Sequence, residues 1–203
     1  MSPDPNIVIK DALAFTRNAL EAALTEPRIK RFVFCSSSSA IQQHRWNEVY
    51  DLTPDMWNTV DPPLAWAPPP YTPDRMLACY NASKTEAEQL FWKFIEEKKP
   101  HFVGNSVLPD VILGLPLNPA KQGLGPSATV MKTLWDHQDL WKYFYPQYVV
   151  DVKDTALLHI AGLVKPDVKS ERLFGYGWPK RWTDVIPIVE RMYPEHKFPG
   201  EFT

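Results

Sequence analysis

Between Pro73 and Pro100 the chain contains no proline, while Pro54, Pro62, Pro63, Pro68, Pro69, Pro70 and Pro73 crowd into residues 44–77 just before. Proline removes a backbone donor and clashes with the preceding helical turn, so this distribution sets where a long helix can form. The proline-free stretch "MLACYNASKTEAEQLFWKFIEEKK" repeats Ala87, Leu90, Phe91, Phe94 and Ile95 at helical spacing and predicts an amphipathic helix. Residues 44–77 exclude regular helix and predict a long ordered loop, a feature that usually carries function. Its aromatic stretch from Trp46 to Tyr71 suits a substrate wall and loop packing equally.

The flanking segments alternate in type. Ile9, Ala12, Leu13, Leu20, Ala23 and Leu24 recur at helical spacing over 6–24, with Pro27 as the stop. "RFVFC" at 31–35 is too short for a helix and rich in aromatic and branched residues, which predicts a buried strand ending in Ser36 to Ser39. "HFVGNSVL" predicts a second strand closed by Pro109, and "LGLPLNPAKQGLGPS" a loop. "TVMKTLWDHQDLW" predicts a helix, and "QYVVDVKDTALLHIAGLV" a strand running into a helix capped by Asp151 or Asp154. "ERLFGYG" reads as another strand, and "WTDVIPIVERMYP" as a last helix from near Thr183, with Pro187 close to its start. This alternation predicts an α/β fold with a largely parallel sheet.

With 22 basic and 24 acidic residues well mixed, the chain has no basic stripe to neutralise a phosphate backbone, which excludes a nucleic-acid partner. No run of about 18 apolar residues spans a bilayer and the first residues carry no leader pattern, so the expected location is cytoplasmic, away from membranes. Cys35 and Cys79, without metal spacing, are expected to be two buried thiols. His44, His101, His137, His159 and His196 lack the clustering of a zinc site, so structural roles and no metal are expected.

Tyr80 and Lys84 stand four apart in "YNASK", on one face of the predicted helix. An ammonium beside a phenol stabilises phenolate, which suits the tyrosine to general acid or base work. Alone, the pair also reads as two surface residues, and the four serines as a polar turn.

Taken in order, the parts resemble the extended short-chain dehydrogenase/reductase family. Within it the match is to the epimerase/dehydratase group and to the fungal and plant aldehyde, ketone and dihydroflavonol reductases. "NALEAALTEPRIKRFVFCSSSSA" looks like the family's helix and fifth strand, and "YNASKTEAEQLFWKF" like its catalytic helix. "NSVLPDVILGLPLNP" looks like its sixth strand and following loop, and "YVVDVKDTALLHIAGL" like its V-D-V-x-D segment, so the resemblance runs from about Asp4 to about Pro194.

The resemblance implies a partial Rossmann-like doubly wound sheet in one domain over 1–203. Residues 1–114 and 147–164 would form the sheet-and-helix core, and 44–77, 115–146 and 165–203 the substrate-side loops and helices. It implies Ser37, the third residue after Phe34, as the hydroxyl that polarises a substrate carbonyl, with Ser36, Ser38 and Ser39 as alternatives. Tyr80 is implied as proton donor, and Lys84 as the group that favours phenolate and holds the ribose of NADP or NAD. Pro109 would pack near the nicotinamide, Asp110 stands where small residues are common, and Asn18 matches an asparagine of the preceding helix.

The family reads its cofactor through a G-x-x-G-x-x-G turn, and none of this chain's eight glycines forms one. Aligned to the family pattern, Met1 falls after the fourth strand, so the expectation is a chain lacking the first strands, roughly 80 to 95 residues. The strand "RFVFC" would then present an open edge suited to homodimerisation or other strand pairing. The expected function is NAD(P)-dependent reduction of a small or polyketide-like carbonyl in specialised metabolism. The alternatives are a cofactor-free lyase, isomerase or cyclase that reuses the serine, tyrosine and lysine, and an inactive relic that acts by pairing.

Overall fold

The structure is a computed structural model that describes residues 2–42, 48–138 and 147–198, except the side chain of Trp182. In chain order the first elements are α1 (Pro5–Thr25), β1 (Arg31–Cys35), α2 (Asp61–Ala65), α3 (Met76–Lys98), β2 (Val103–Pro109) and β3 (Val111–Leu113). There follow α4 (Pro119–Gln122), α5 (Pro126–Trp135), β4 (Gln147–Asp151), α6 (Val152–Val164), β5 (Arg172–Gly175), β6 (Trp178–Lys180) and α7 (Trp182–Met192). Strand and helix alternate as expected of an α/β chain.

The chain divides into two compact units. The first comprises Met1–Gln43, Val49–Pro109 and Ala156–Gly175, and its three strands lie parallel in the order β1-β2-β5. The β1 register sets Phe34 opposite Ser106 and Cys35 opposite Val107. Helix α1 starts where Asp4 accepts the Asn6 N–H and Pro5 needs no donor. Helix α3 ends at Lys99, whose backbone is left-handed with φ 44°. Leu20 and Ala23 of α1 meet Phe91 and Phe94 of α3 in the main core, and Phe34 stacks on Phe91 at 5.4 Å. Burying such aromatic side chains contributes roughly 1.5–3 kcal/mol each.

The second unit comprises His44–Glu48, Asp110–Thr155 and Tyr176–Thr203. Its sheet has the order β3-β4-β6, with β3 and β4 parallel and β6 antiparallel to β4. Val130, Leu134 and Ile186 form its core, and Trp135 stacks on His196 at 3.9 Å.

Several local expectations change. Helix α2 forms inside the proline-rich segment because Pro62 and Pro63 occupy its first turn, where no N–H is required. Likewise α5 starts at Pro126 rather than Thr129, and residues 139–141 of the expected helix lie outside the described residues, as do His44 and Trp46. Strands β3 and β6, three residues each, are too short to show a period in sequence. Pro187 lies inside α7, whose start is held by the Asp184 carboxylate accepting the Arg181 N–H at 3.0 Å. Asp151 takes the capping role before α6, accepting the Lys153 N–H at 2.7 Å. The two cysteines differ: Cys79 is buried as expected, but Cys35 is exposed, because it closes β1 at the open end of the strand.

Candidate functional site

The first unit carries Ser37, Tyr80, Lys84 and Pro109. Beyond Cys35 the chain keeps one more ladder bond, from the Ser36 N–H to Val107 O at 2.8 Å, and then turns through a short 3-10 segment, Ser38–Ala40. The four serines separate by role. Ser36 points inward and donates to Glu88 Oε2 at 2.7 Å. Ser37 is extended, with φ −160° and ψ 156°, and its Oγ accepts the Ser39 N–H at 3.2 Å, which caps the turn. Its hydroxyl proton is not engaged in that bond. Ser39 offers its carbonyl to Asn58 Nδ2 at 2.9 Å and to Thr85 Oγ1 at 3.3 Å.

Helix α3 presents Tyr80 and Lys84 half-buried, one turn apart. The Lys84 ammonium donates to Cys35 O at 3.4 Å, which ties this face of the helix to the strand end two residues before Ser37. Pro109 is buried at the end of β2, the neighbouring strand, opposite Gly175. Asn18 is exposed on α1, so its side chain faces solvent. In the second unit, Asp110 accepts the Tyr148 N–H at 2.8 Å, a structural use for a carboxylate where small residues were expected.

Two clusters that pattern reading misses hold this arrangement. Glu88 is fully buried and accepts from Ser36, from Ser106 Oγ at 2.7 Å, from Trp92 Nε1 at 3.1 Å and from Arg172 Nε at 2.9 Å. Arg172 also reaches Pro54 O and Met56 O, at 2.6 and 2.7 Å, and lies 4.0 Å over the Trp57 ring. Asn58 bonds Ser39 O and Asp61 Oδ2, and Asp61 Oδ2 also accepts from Asn81 Nδ2 at 3.0 Å. The segment around Trp57 therefore packs beside the serine turn. The only sequence signal was Glu88 four residues after Lys84, on the same helix face.

Lys84 thus reaches the carboxyl end of β1, and Pro109 closes β2, its parallel neighbour; α/β sheets bind ligands at such strand ends. The pyrophosphate end of a dinucleotide finds no cradle among the described residues of this unit. Its three glycines are packing positions: an added Cβ would meet Ile95 Cδ1 at 2.8 Å from Gly104, Val33 Cγ2 at 2.9 Å from Gly162, and Pro109 Cα at 3.0 Å from Gly175.

Comparison with known proteins decides the family. The chain is 39% identical over 205 residues to the NAD-dependent epimerase/dehydratase tndE of Aspergillus flavipes, matching 98% of itself and 56% of that protein. It is 36% identical over 199 residues to aldehyde reductase 2 of Sporidiobolus salmonicolor, matching 96% of itself and 57% of that protein. Over these residues the chain belongs to the extended short-chain dehydrogenase/reductase family. No protein-family model matches it. The fold agrees with that of Gre2 from Candida albicans in complex with NADPH, at a TM-score of 0.76 and 22% identity over 94% of this chain and 57% of that one. Vestitone reductase from alfalfa gives a TM-score of 0.73 at 23% identity, over 95% and 58%. The chain thus spans little more than half the length of the relatives it matches. Among the described residues, no helix is long and apolar enough to cross a membrane.

Proposed function

We propose that the first unit supplies the proton-delivery side of an NAD(P)-dependent carbonyl reductase site, acting on a small or polyketide-like aldehyde or ketone in specialised metabolism. The observation that carries this reading is the Lys84 to Cys35 O bond, which seats the Tyr80/Lys84 face of α3 against the serine turn. In this role the Ser37 hydroxyl donates to the substrate carbonyl oxygen and polarises it. Tyr80 hands its phenolic proton to the oxygen as negative charge develops, and the Lys84 ammonium stabilises the phenolate left behind. Lys84 and Tyr80 would also hold the nicotinamide ribose, with Pro109 beside the ring. When bound, the nicotinamide supplies the hydride.

The test is calorimetry of the 203-residue chain with NADPH and NADH, followed by nicotinamide oxidation against a panel of aldehydes and ketones. Affinity tighter than millimolar, with turnover lost in Tyr80→Phe, is expected. Absence of such affinity sinks the reading for this chain.

A second reading keeps the same acid-base set in a cofactor-free lyase, isomerase or cyclase. Turnover without nicotinamide, abolished by Tyr80→Phe, would select it. The lateral position of β1 in its sheet supports a third, pairing of that edge with a second copy, which concentration-dependent light scattering tests.

A further inference from the structure

Asn81 and Thr85 each follow a candidate active-site residue, Tyr80 and Lys84, by one position, and so lie about 100° further round α3. That face turns inward: Asn81 and Thr85 are buried where Tyr80 and Lys84 are half-buried. Both meet a small polar cluster centred on Asn58, itself buried on the segment before α2. The Asn58 Nδ2 donates to Ser39 O at 2.9 Å and to Asp61 Oδ2 at 2.7 Å, while its Oδ1 accepts the Val60 and Asp61 N–H groups. Its backbone N–H adds a bond to Ala40 O at 3.0 Å.

From the helix, Thr85 Oγ1 reaches the same Ser39 carbonyl at 3.3 Å, and Asn81 Nδ2 reaches the same Asp61 oxygen at 3.0 Å. The Ser39 peptide is therefore held on both sides, its carbonyl by Asn58 and Thr85 and its N–H by Ser37 Oγ. With one lone pair of the Ser37 hydroxyl fixed in that bond, its proton is limited to the remaining tetrahedral directions. Asn81 Oδ1 is buried without a hydrogen-bond partner. Burying an unpaired amide oxygen costs stability, so fold stability alone does not explain an asparagine at 81; its bond to Asp61 does.

We propose that Asn58 and Thr85 are positioning residues for Ser37. Together with the link from Asp61 to Asn81, they lock the serine turn to α3, so that the Ser37 hydroxyl and the Tyr80 phenol address one carbonyl oxygen. This deepens the reductase reading and rests on it. Being buried, both residues act through Ser37 and not on the substrate.

The experiment uses the folded 203-residue chain with NADPH and two probe carbonyls, benzaldehyde and acetophenone. Asn58→Asp keeps the oxygen that accepts the Val60 and Asp61 N–H groups but removes both donated bonds. It should lower kcat about ten- to a hundredfold and leave KM for NADPH little changed. In a Ser37→Ala background the same change should cost less than about twofold, because the group it positions has gone. Thr85→Val should lower kcat severalfold, and Thr85→Ser, which keeps the hydroxyl, should recover it. Amide exchange over residues 36–41, read by mass spectrometry, should quicken in Asn58→Asp and Thr85→Val, with β2 unchanged as the sign of an intact fold. If Asn58→Asp does not fold, the Thr85 pair decides. The role is overturned by a folded Asn58→Asp with wild-type kcat, by equal losses with and without Ser37, or by Thr85→Ser no better than Thr85→Val. Failure of the reductase reading looks different: the wild-type chain turns over neither probe, or Tyr80→Phe keeps full activity. An inactive wild type leaves the exchange measurement to decide the lock, and unchanged exchange over 36–41 overturns it.

Discussion

Glu88 and Arg172 form a buried ion pair, Nε to Oε1 at 2.9 Å, that joins the helix bearing Tyr80 and Lys84 to strand β5. The pair is satisfied on both sides: the carboxylate takes donors from Ser36, Ser106 and Trp92, and the guanidinium reaches two loop carbonyls. Glu88→Ala leaves Arg172 charged, buried and unpaired, and should cost about 3–5 kcal/mol of stability. Denaturant unfolding followed by tryptophan fluorescence measures it, and a loss below about 1 kcal/mol would show that the network contributes little.

The serines should separate experimentally. Ser36→Ala removes one of the donors to a fully buried carboxylate and should destabilise by about 1–3 kcal/mol. Ser37→Ala removes only the cap of a short turn, at about 1 kcal/mol, yet should depress turnover on the reductase reading. Equal stability losses, with turnover falling only in Ser36→Ala, would move the polarising role away from Ser37.

Tyr80 is half-buried, so Tyr80→Phe should leave the melting temperature close to that of the wild type. Turnover should fall by about 10²- to 10⁴-fold, the range for a lost general acid. Steady-state kinetics beside a thermal melt tests both halves, and full activity in Tyr80→Phe would exclude the tyrosine as proton donor.

Gly162 brings α6 close to β1. An alanine there would set its Cβ 2.9 Å from Val33 Cγ2, and overpacking of this kind costs about 1–3 kcal/mol. Gly123→Ala differs because no atom lies within 4 Å, but its φ of +67° carries backbone strain, about 1 kcal/mol. Chemical unfolding of the two variants compares a steric cost with a conformational one.

Local pattern reached far in this protein because the proline distribution and aromatic runs leave few choices. It located α1, β1, α3, β2 and β5, and it placed Tyr80 and Lys84 on one helical face, since spacing alone governs which side chains share a turn. It did not reveal strands β3 and β6, because three residues of pleat leave no period to detect. Nor did it foresee α2, because a proline-rich composition says nothing of which prolines fall in a first turn.

By itself, then, the sequence determined the alternation of strand and helix, the strand-end serines and the Y-x-x-x-K face, all set by local sterics and periodicity. Only the tertiary structure decided which serine turns inward to Glu88 and which caps the turn, that Arg172 closes the buried network from 84 positions away, and that Cys35 stands exposed with its carbonyl bonded by Lys84. The reason is physical: a hydroxyl or a carboxylate takes its role from partners distant in the chain, and those partners meet only when the parallel strands and their helices have packed.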